Sequence, residues 1–187
     1  MKKTVVAFGS IAGVILSAMM LLTIPFQDRI GFENGEIIGY TSMVLAFLLI
    51  FFGVRSYRDN VAGGSISFGR ALKVGALIAA VASGWYVATW QVIYYRISPD
   101  FMTRYQSYKL EEARAAGETE AQVAKRKADM EKFAKMYKNP AINAAITFLE
   151  PLPVALIMAL VSAGLLSRRR KTVGEADGGI PGKRVVA

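Results

Sequence analysis

TVVAFGSIAGVILSAMMLLTIPFQ, residues 4–27, carries no charged side chain. A helix crosses roughly 30 Å of hydrocarbon in about 20 residues, so this stretch is long enough to span a bilayer. Three more runs follow: IIGYTSMVLAFLLIFFGV (37–54), VGALIAAVASGWYVATWQVIYY (74–95) and PLPVALIMALVSAGLLS (151–167). The last extends back through 141–149 if one acid, Glu150, is admitted. Backbone in lipid must satisfy its own hydrogen bonds, which leaves helices or closed barrels. These runs are too long and too continuous for alternating barrel strands. The pattern predicts an all-α integral membrane four-helix bundle.

Composition agrees. Of 187 residues, 53% are hydrophobic and 20% charged, at a mean hydropathy of +0.35. Such values coexist only when charge and apolarity are segregated. No charge lies between Lys73 and Arg96, whereas 96–138 holds ten basic and seven acidic residues. The length suits one membrane domain. With no Cys and no His, thiol nucleophiles, disulfides, Cys/His zinc sites, His bases and His-ligated haem are excluded within the chain. Redox compartment stays open. The net charge of +9 is read as basic residues flanking spans rather than as a nucleic-acid surface. Met1-Lys2-Lys3 before an apolar stretch also resembles a signal peptide. The run continues to Phe26 with no A-x-A site after it, so a retained first span is expected and a cleaved signal is the alternative.

Along the chain, Gly9, Gly13 and Ser17 share one face of span one. They predict close helix packing within the bundle, with homo-oligomerisation as the alternative. Pro25 should end or kink this helix. Residues 27–36 read as a short acidic loop turning at Asn34-Gly35. A basic loop with Arg55, Arg58, Arg70 and Lys73 contains Gly63-Gly64, and Ser67 reads as the N-cap of span three. Trp85, Tyr86, Trp90, Tyr94 and Tyr95 suggest an interfacial belt. Ser98-Pro99-Asp100 reads as a helix start. Gly117 breaks that helix, and Thr119 with Gln122 reads as a capping box. Residues 98–138 are thus expected to form an extracytoplasmic amphipathic hairpin of two helices, about 18 and 20 residues long, between spans three and four. Phe101, Tyr105 and Tyr108 share one face of it; Val123, Met130, Phe133 and Tyr137 share another. Asn139-Pro140 starts the last helix, Pro151 and Pro153 kink it, and residues 168–171, RRRK, stop it. The expected division is 1–97 for spans one to three, 98–138 for the hairpin, 139–171 for span four, and 172–187 as a disordered tail.

The positive-inside rule places both termini in the cytoplasm. Lys2-Lys3, the 55–73 loop and 168–171 lie on one side, and the acidic 27–36 loop on the other. The hairpin's basic residues nearly balance the raw count, but they are spread along helices and offset by acids.

Two constellations bear on chemistry. GSISFGRA (64–71) is a near miss to a phosphate-binding loop: the lysine is replaced by Arg70, the hydroxyl by Ala71, and no soluble strand precedes it. Glu150 is the sharper candidate. At 1.5 Å per residue, Glu150, Gln91 and Glu36 come out about 25–27 Å from the inner edge, on three different spans. Arg96 and Arg29 are near enough to join them. An intramembrane acid is expensive unless paired, protonated or hydrated. Glu150 is thus either a structural acid paired with Arg96 or Arg29, or part of a polar cavity for a cation, proton or polar ligand. Without His, Cys or an acid pair on one helix face, enzymatic machinery is not expected, and neither a cofactor nor a metal site is.

The stretches GFENGEIIGYT (31–41), FFGVRSYRDN (51–60), ISFGRA (66–71) and FLEPLP (148–153) resemble the bacterial membrane family named domain of unknown function 4199, over about residues 1–168. The resemblance implies a four-span bacterial inner-membrane protein. It implies no activity, cofactor or catalytic residue. The leading functional expectation is a non-enzymatic interaction or scaffold protein of the envelope, whose partners are the lipid bilayer and a membrane or envelope protein contacting the 98–138 hairpin. The alternative is a small oligomeric transporter or ion-coupled binding protein using the cluster around Glu150.

Overall fold

Apolar runs of span length fold as helices wherever proline and glycine allow. The computed structural model describes residues 1–167, and no strand occurs among them. Helix α1 is Lys2–Thr23; a 3₁₀ turn at Ile24–Phe26 carries Pro25, and the short α2 is Gln27–Ile30. Then come α3 (Phe32–Asn60) and α4 (Phe68–Val92), the latter ending in a π-helical turn at Ile93–Ile97. Helices α5 (Phe101–Ala115) and α6 (Glu120–Tyr137) form the hairpin, and α7 (Pro140–Leu149) and α8 (Leu152–Leu166) form the last, broken helix. Four helical segments are long and apolar enough to cross a membrane: Lys2–Ile30, Phe32–Asn60, Phe68–Ile97 and Pro140–Leu166. No more than 44% of any of their apolar windows is buried inside the protein. Ile11, Leu45, Ile157 and Leu165 are among the side chains left facing outward. So wide an apolar girdle is the surface pattern of a membrane protein.

The core follows from small residues. Helix α4 is the hub, packed by α1, α3 and α8, with α7 at its far end. Gly9 and Gly13 let α1 approach: a Cβ at Gly9 would lie 2.6 Å from Val81 Cβ, and one at Gly13 2.5 Å from Trp85 Cβ. One turn further, Thr89 Oγ1 donates to Ser17 Oγ at 2.7 Å. The small-residue face of span one is therefore spent on α4 of the same chain. On the other side of α4, Ala71, Ala79 and Ala82 meet the Ala155, Ala159 and Ala163 ridge of α8, while Phe47, Ile50, Val54 and Ile78 fill the space between.

Two expected boundaries move. Residues 27–36 are helical rather than a loop, and Asn34-Gly35 lies inside α3. The chain breaks instead at Gly31, which takes φ +84, a conformation open to glycine at little cost. Gln27 Nε2 donates to Gly31 O at 3.1 Å and Asn34 Nδ2 to Ile30 O at 2.9 Å, so both amides stabilise this break. The second shift is at the hairpin's start. Ser98-Pro99-Asp100 forms a turn, because the π-helical bond from Ser98 N to Ile93 O carries span three down to it. The helix begins at Phe101, and α5 and α6 run 15 and 18 residues. The Thr119–Gln122 capping box is formed. Ser67 sits at the N-cap of α4 without a side-chain capping bond. The expected stop at 168–171 and the tail at 172–187 lie outside the described residues.

Gly13→Leu would drive a side chain into Trp85 and should destabilise the protein by about 1–3 kcal/mol through overpacking. Gly84, with nothing within 4 Å of its added Cβ, should accept Leu with little change. Thermal unfolding of both variants in one detergent checks the contrast.

Candidate functional site

Proline at 151 shapes this site. Its missing N–H deprives the Thr147 carbonyl of its helical donor, and Pro153 does the same for Leu149. The last helix therefore breaks at Glu150-Pro151. Below the break, α8 packs on α3 and α4; above it, α7 leans on α4 and α6. Asn139 caps the start of α7, its Oδ1 accepting from Ala141 N at 2.9 Å. A buried polar chain then fastens α7 to its neighbours. Trp90 Nε1 donates to Tyr137 Oη at 2.9 Å, and Tyr137 Oη lies 3.1 Å from Thr147 Oγ1. Gln91 Nε2 donates to Asn143 Oδ1 at 2.7 Å. Burial pushes the Tyr137 hydroxyl above its ordinary range, so it stays neutral and serves only as a hydrogen-bonding hinge pin.

Where α7 turns away, a cavity of about 480 Å³ opens at the hairpin end of the bundle. The end of α1 supplies Met20 to its wall and α2 supplies Gln27, α3 supplies Glu36 and Tyr40, α4 supplies Tyr86 and Trp90, and α7 supplies Ile146 with Glu150 at its C-terminus. Phe101 and Tyr105 of α5 and Phe133 and Tyr137 of α6 complete it from the hairpin. Tyr86 and Glu150 share this wall, close enough for the phenol and the carboxylate to interact.

Helix α5 is tied across the cavity's hairpin side. Phe32 at the start of α3 stacks on Tyr108, ring centroids 5.0 Å apart, and meets Tyr105 at 5.7 Å and Phe101 at 5.9 Å. Arg104 Nη1 lies 2.7 Å from Asp28 Oδ1. Lys109 Nζ lies 3.4 Å from Glu36 Oε1 and 2.9 Å from Glu112 Oε2, over the rings of Tyr105 and Tyr108. The hydrogen bond to Glu112 chiefly holds the Lys109 amine above its ordinary pKa, so it remains cationic at neutral pH. Its stabilising effect is full below the usual lysine value and fades as pH rises through the raised one. Lys109 and Glu36 therefore offset each other, whereas Glu150 forms no ion pair with a lysine or arginine among the described residues.

Of the residues singled out in sequence, Glu150 and Glu36 line this cavity together. Gln91 has the right depth but turns to Asn143. Arg29 and Arg96 are exposed, and neither reaches a carboxylate among the described residues. Gly9, Gly13 and Ser17 lie elsewhere, against α4. The 64–71 segment is a turn between two helices, with no strand before it. Sequence reasoning did not find Tyr40, Tyr86, Trp90, Tyr137 or Gln27 as site residues. Tyr40 and Gln27 left a faint signal as polar groups at or near the ends of apolar runs.

Fold and site together define, among the described residues, an all-helical architecture with four membrane-length helices and an acidic, aromatic-walled cavity beneath a helical hairpin. A family described as "Protein of unknown function (DUF4199)" matches residues 7–168, and the chain belongs to it. Compared with curated proteins and with solved structures, the chain finds no match.

Tyr137→Phe would leave the Trp90 N–H without its acceptor, a loss of about 1–3 kcal/mol for a buried donor. Hydrogen exchange should rise in α6 and α7 while the α1–α4 seam stays protected. Equal rises in both regions would contradict the local role given to this hydroxyl.

Proposed function

We propose that this chain is a polytopic bacterial inner-membrane protein, with both termini in the cytoplasm, that binds a small organic cation in the cavity at Glu150. The observation that carries the reading is the placement of that acid: it lines an aromatic-walled space beside the Tyr86 phenol, and no arginine or lysine among the described residues forms an ion pair with it. An acid near the edge of the hydrocarbon is expensive to keep without a counter-charge. Aromatic faces attract cations, by up to about 2 kcal/mol or more where water is excluded. Tyr40, Tyr86, Trp90 and Tyr137 offer such faces around the carboxylate. No group of three or more acidic side chains fit to hold a metal ion occurs among the described residues. The donor set thus suits a cation with an apolar skin, an alkylated amine, better than a hard metal ion. The chain has no His and no Cys, and one acid beside a phenol is a binding group rather than a catalytic pair.

The orientation rests on charge. Lys2, Lys3, Arg55, Arg58, Arg70 and Lys73 sit at one end of the bundle, and Asp28, Glu33 and Glu36 at the other. The cavity then opens at the outer leaflet. A second reading, an envelope scaffold that uses the hairpin as its contact surface, draws on Phe133 and Met136, which are exposed on α6. The cavity moves cation binding ahead of it.

With the protein in lipid nanodiscs, equilibrium dialysis should detect binding of a quaternary ammonium ion, offered as tetramethylammonium or as its dodecyl derivative. Glu150→Gln should weaken that binding by about tenfold or more. Binding of neither ion, or binding indifferent to Glu150→Gln, would overturn the proposal.

A further inference from the structure

The walls of the cavity differ on its two open sides. Toward the hairpin end it is covered. Helix α5 is held to α2 and α3 by the Arg104–Asp28 and Lys109–Glu36 ion pairs and by the Phe32 ring cluster. Phe101, Tyr105 and Phe133 lie between the cavity and that end. Toward the flank of the bundle it is open. The break at Pro151 sends α7 toward α4 and α6, and α3 is not among its main neighbours. Along the resulting seam Tyr40 is 56% exposed, and Glu150 is exposed as well. Both lie within helical segments of membrane length. Gly39, which lines the cavity on the same turn of α3, has nothing within 4 Å of the position its Cβ would take. The seam therefore has free width beside the acid. Its borders are greasy, with Ile37 and Leu149 both 60% exposed.

Resting on the cation-binding reading above, we infer that the ligand is an amphiphile that comes from the lipid: a single amine or ammonium head placed at Glu150, with its hydrocarbon tail lying along α3 past Gly39 in the seam between α3 and α7. A cation dissolved in water meets the ion-paired hairpin. A cation carried on an acyl chain is already at the depth of Glu150, and the bilayer concentrates it there. The head gains the carboxylate and the aromatic faces. The tail never leaves an apolar surrounding, so reaching the site requires no apolar surface to be exposed to water.

The test compares dodecyltrimethylammonium and tetramethylammonium on nanodisc-embedded wild type, Gly39→Phe and Gly84→Phe, with empty nanodiscs subtracted. Gly39→Phe fills the free width of the seam, and Gly84→Phe adds the same ring to α4 where it meets nothing. Gly39→Leu is the milder version, and thermal melts confirm that each variant is folded. The expected result is that wild type prefers the long-chain ion. Gly39→Phe should weaken long-chain binding about tenfold or more and Gly39→Leu less, each weakening tetramethylammonium binding by a smaller factor. Gly84→Phe should bind like wild type. If both ions bind equally in a Glu150-dependent way, or if Gly39→Phe weakens neither or both alike, lateral access is overturned while cation binding stands. If neither ion binds, both proposals fall together.

Discussion

A proline in a helix removes one hydrogen bond, and the hairpin end of this protein is organised around that loss. Without an N–H at 151, the last helix cannot continue straight along α3. Its upper half leans instead on α4 and α6. The divergence opens the cavity and leaves Glu150 at the break, where its own N–H still reaches Ile146 O at 3.2 Å. The carboxylate is thus anchored by ordinary helix on one side and freed by proline on the other.

Leaning α7 outward has to be stabilised, and buried polar groups do it. Tyr137 holds Trp90 and Thr147 together, and Asn143 holds Gln91. In a setting poor in water, such bonds have few competitors, although their measured worth within membranes is modest at about 0.6 kcal/mol on average. Their value here is geometric. They join α4, α6 and α7 at one level, while the Phe32 cluster and the Arg104–Asp28 pair join α5 to α2 and α3. The hairpin is therefore coupled to the bundle on both sides of the cavity.

The spans were legible because hydropathy acts over many residues and no local signal opposes it. Local signals alone were less dependable. Asn34-Gly35 has the composition of a turn, yet Gly31 takes the turn and Gln27 packs over Gly35, so helix wins there. Counting along helices placed Glu150, Gln91 and Glu36 at one depth. Depth says nothing of direction around the helix axis, and Gln91 faces Asn143 rather than Glu150. Arg29 and Arg96 fail for the same reason: both are near enough along the chain, and both point outward. In sequence Tyr86 belongs with an interfacial belt, because aromatics at span ends usually do. Its contact with Glu150 depends on how α7 departs from α3, which composition does not encode.

The seam between α1 and α4 bears on how the protein is made. The first helix finds its largest interface not with α3, the next one synthesised, but with the span after that. Gly9 and Gly13 have no Val81 or Trp85 to receive them until α4 has left the ribosome. Until then the nascent chain holds two long helices whose best mutual contact is the lesser one. Assembly therefore proceeds by waiting: α4 arrives to partners already made, and α1 is locked only then.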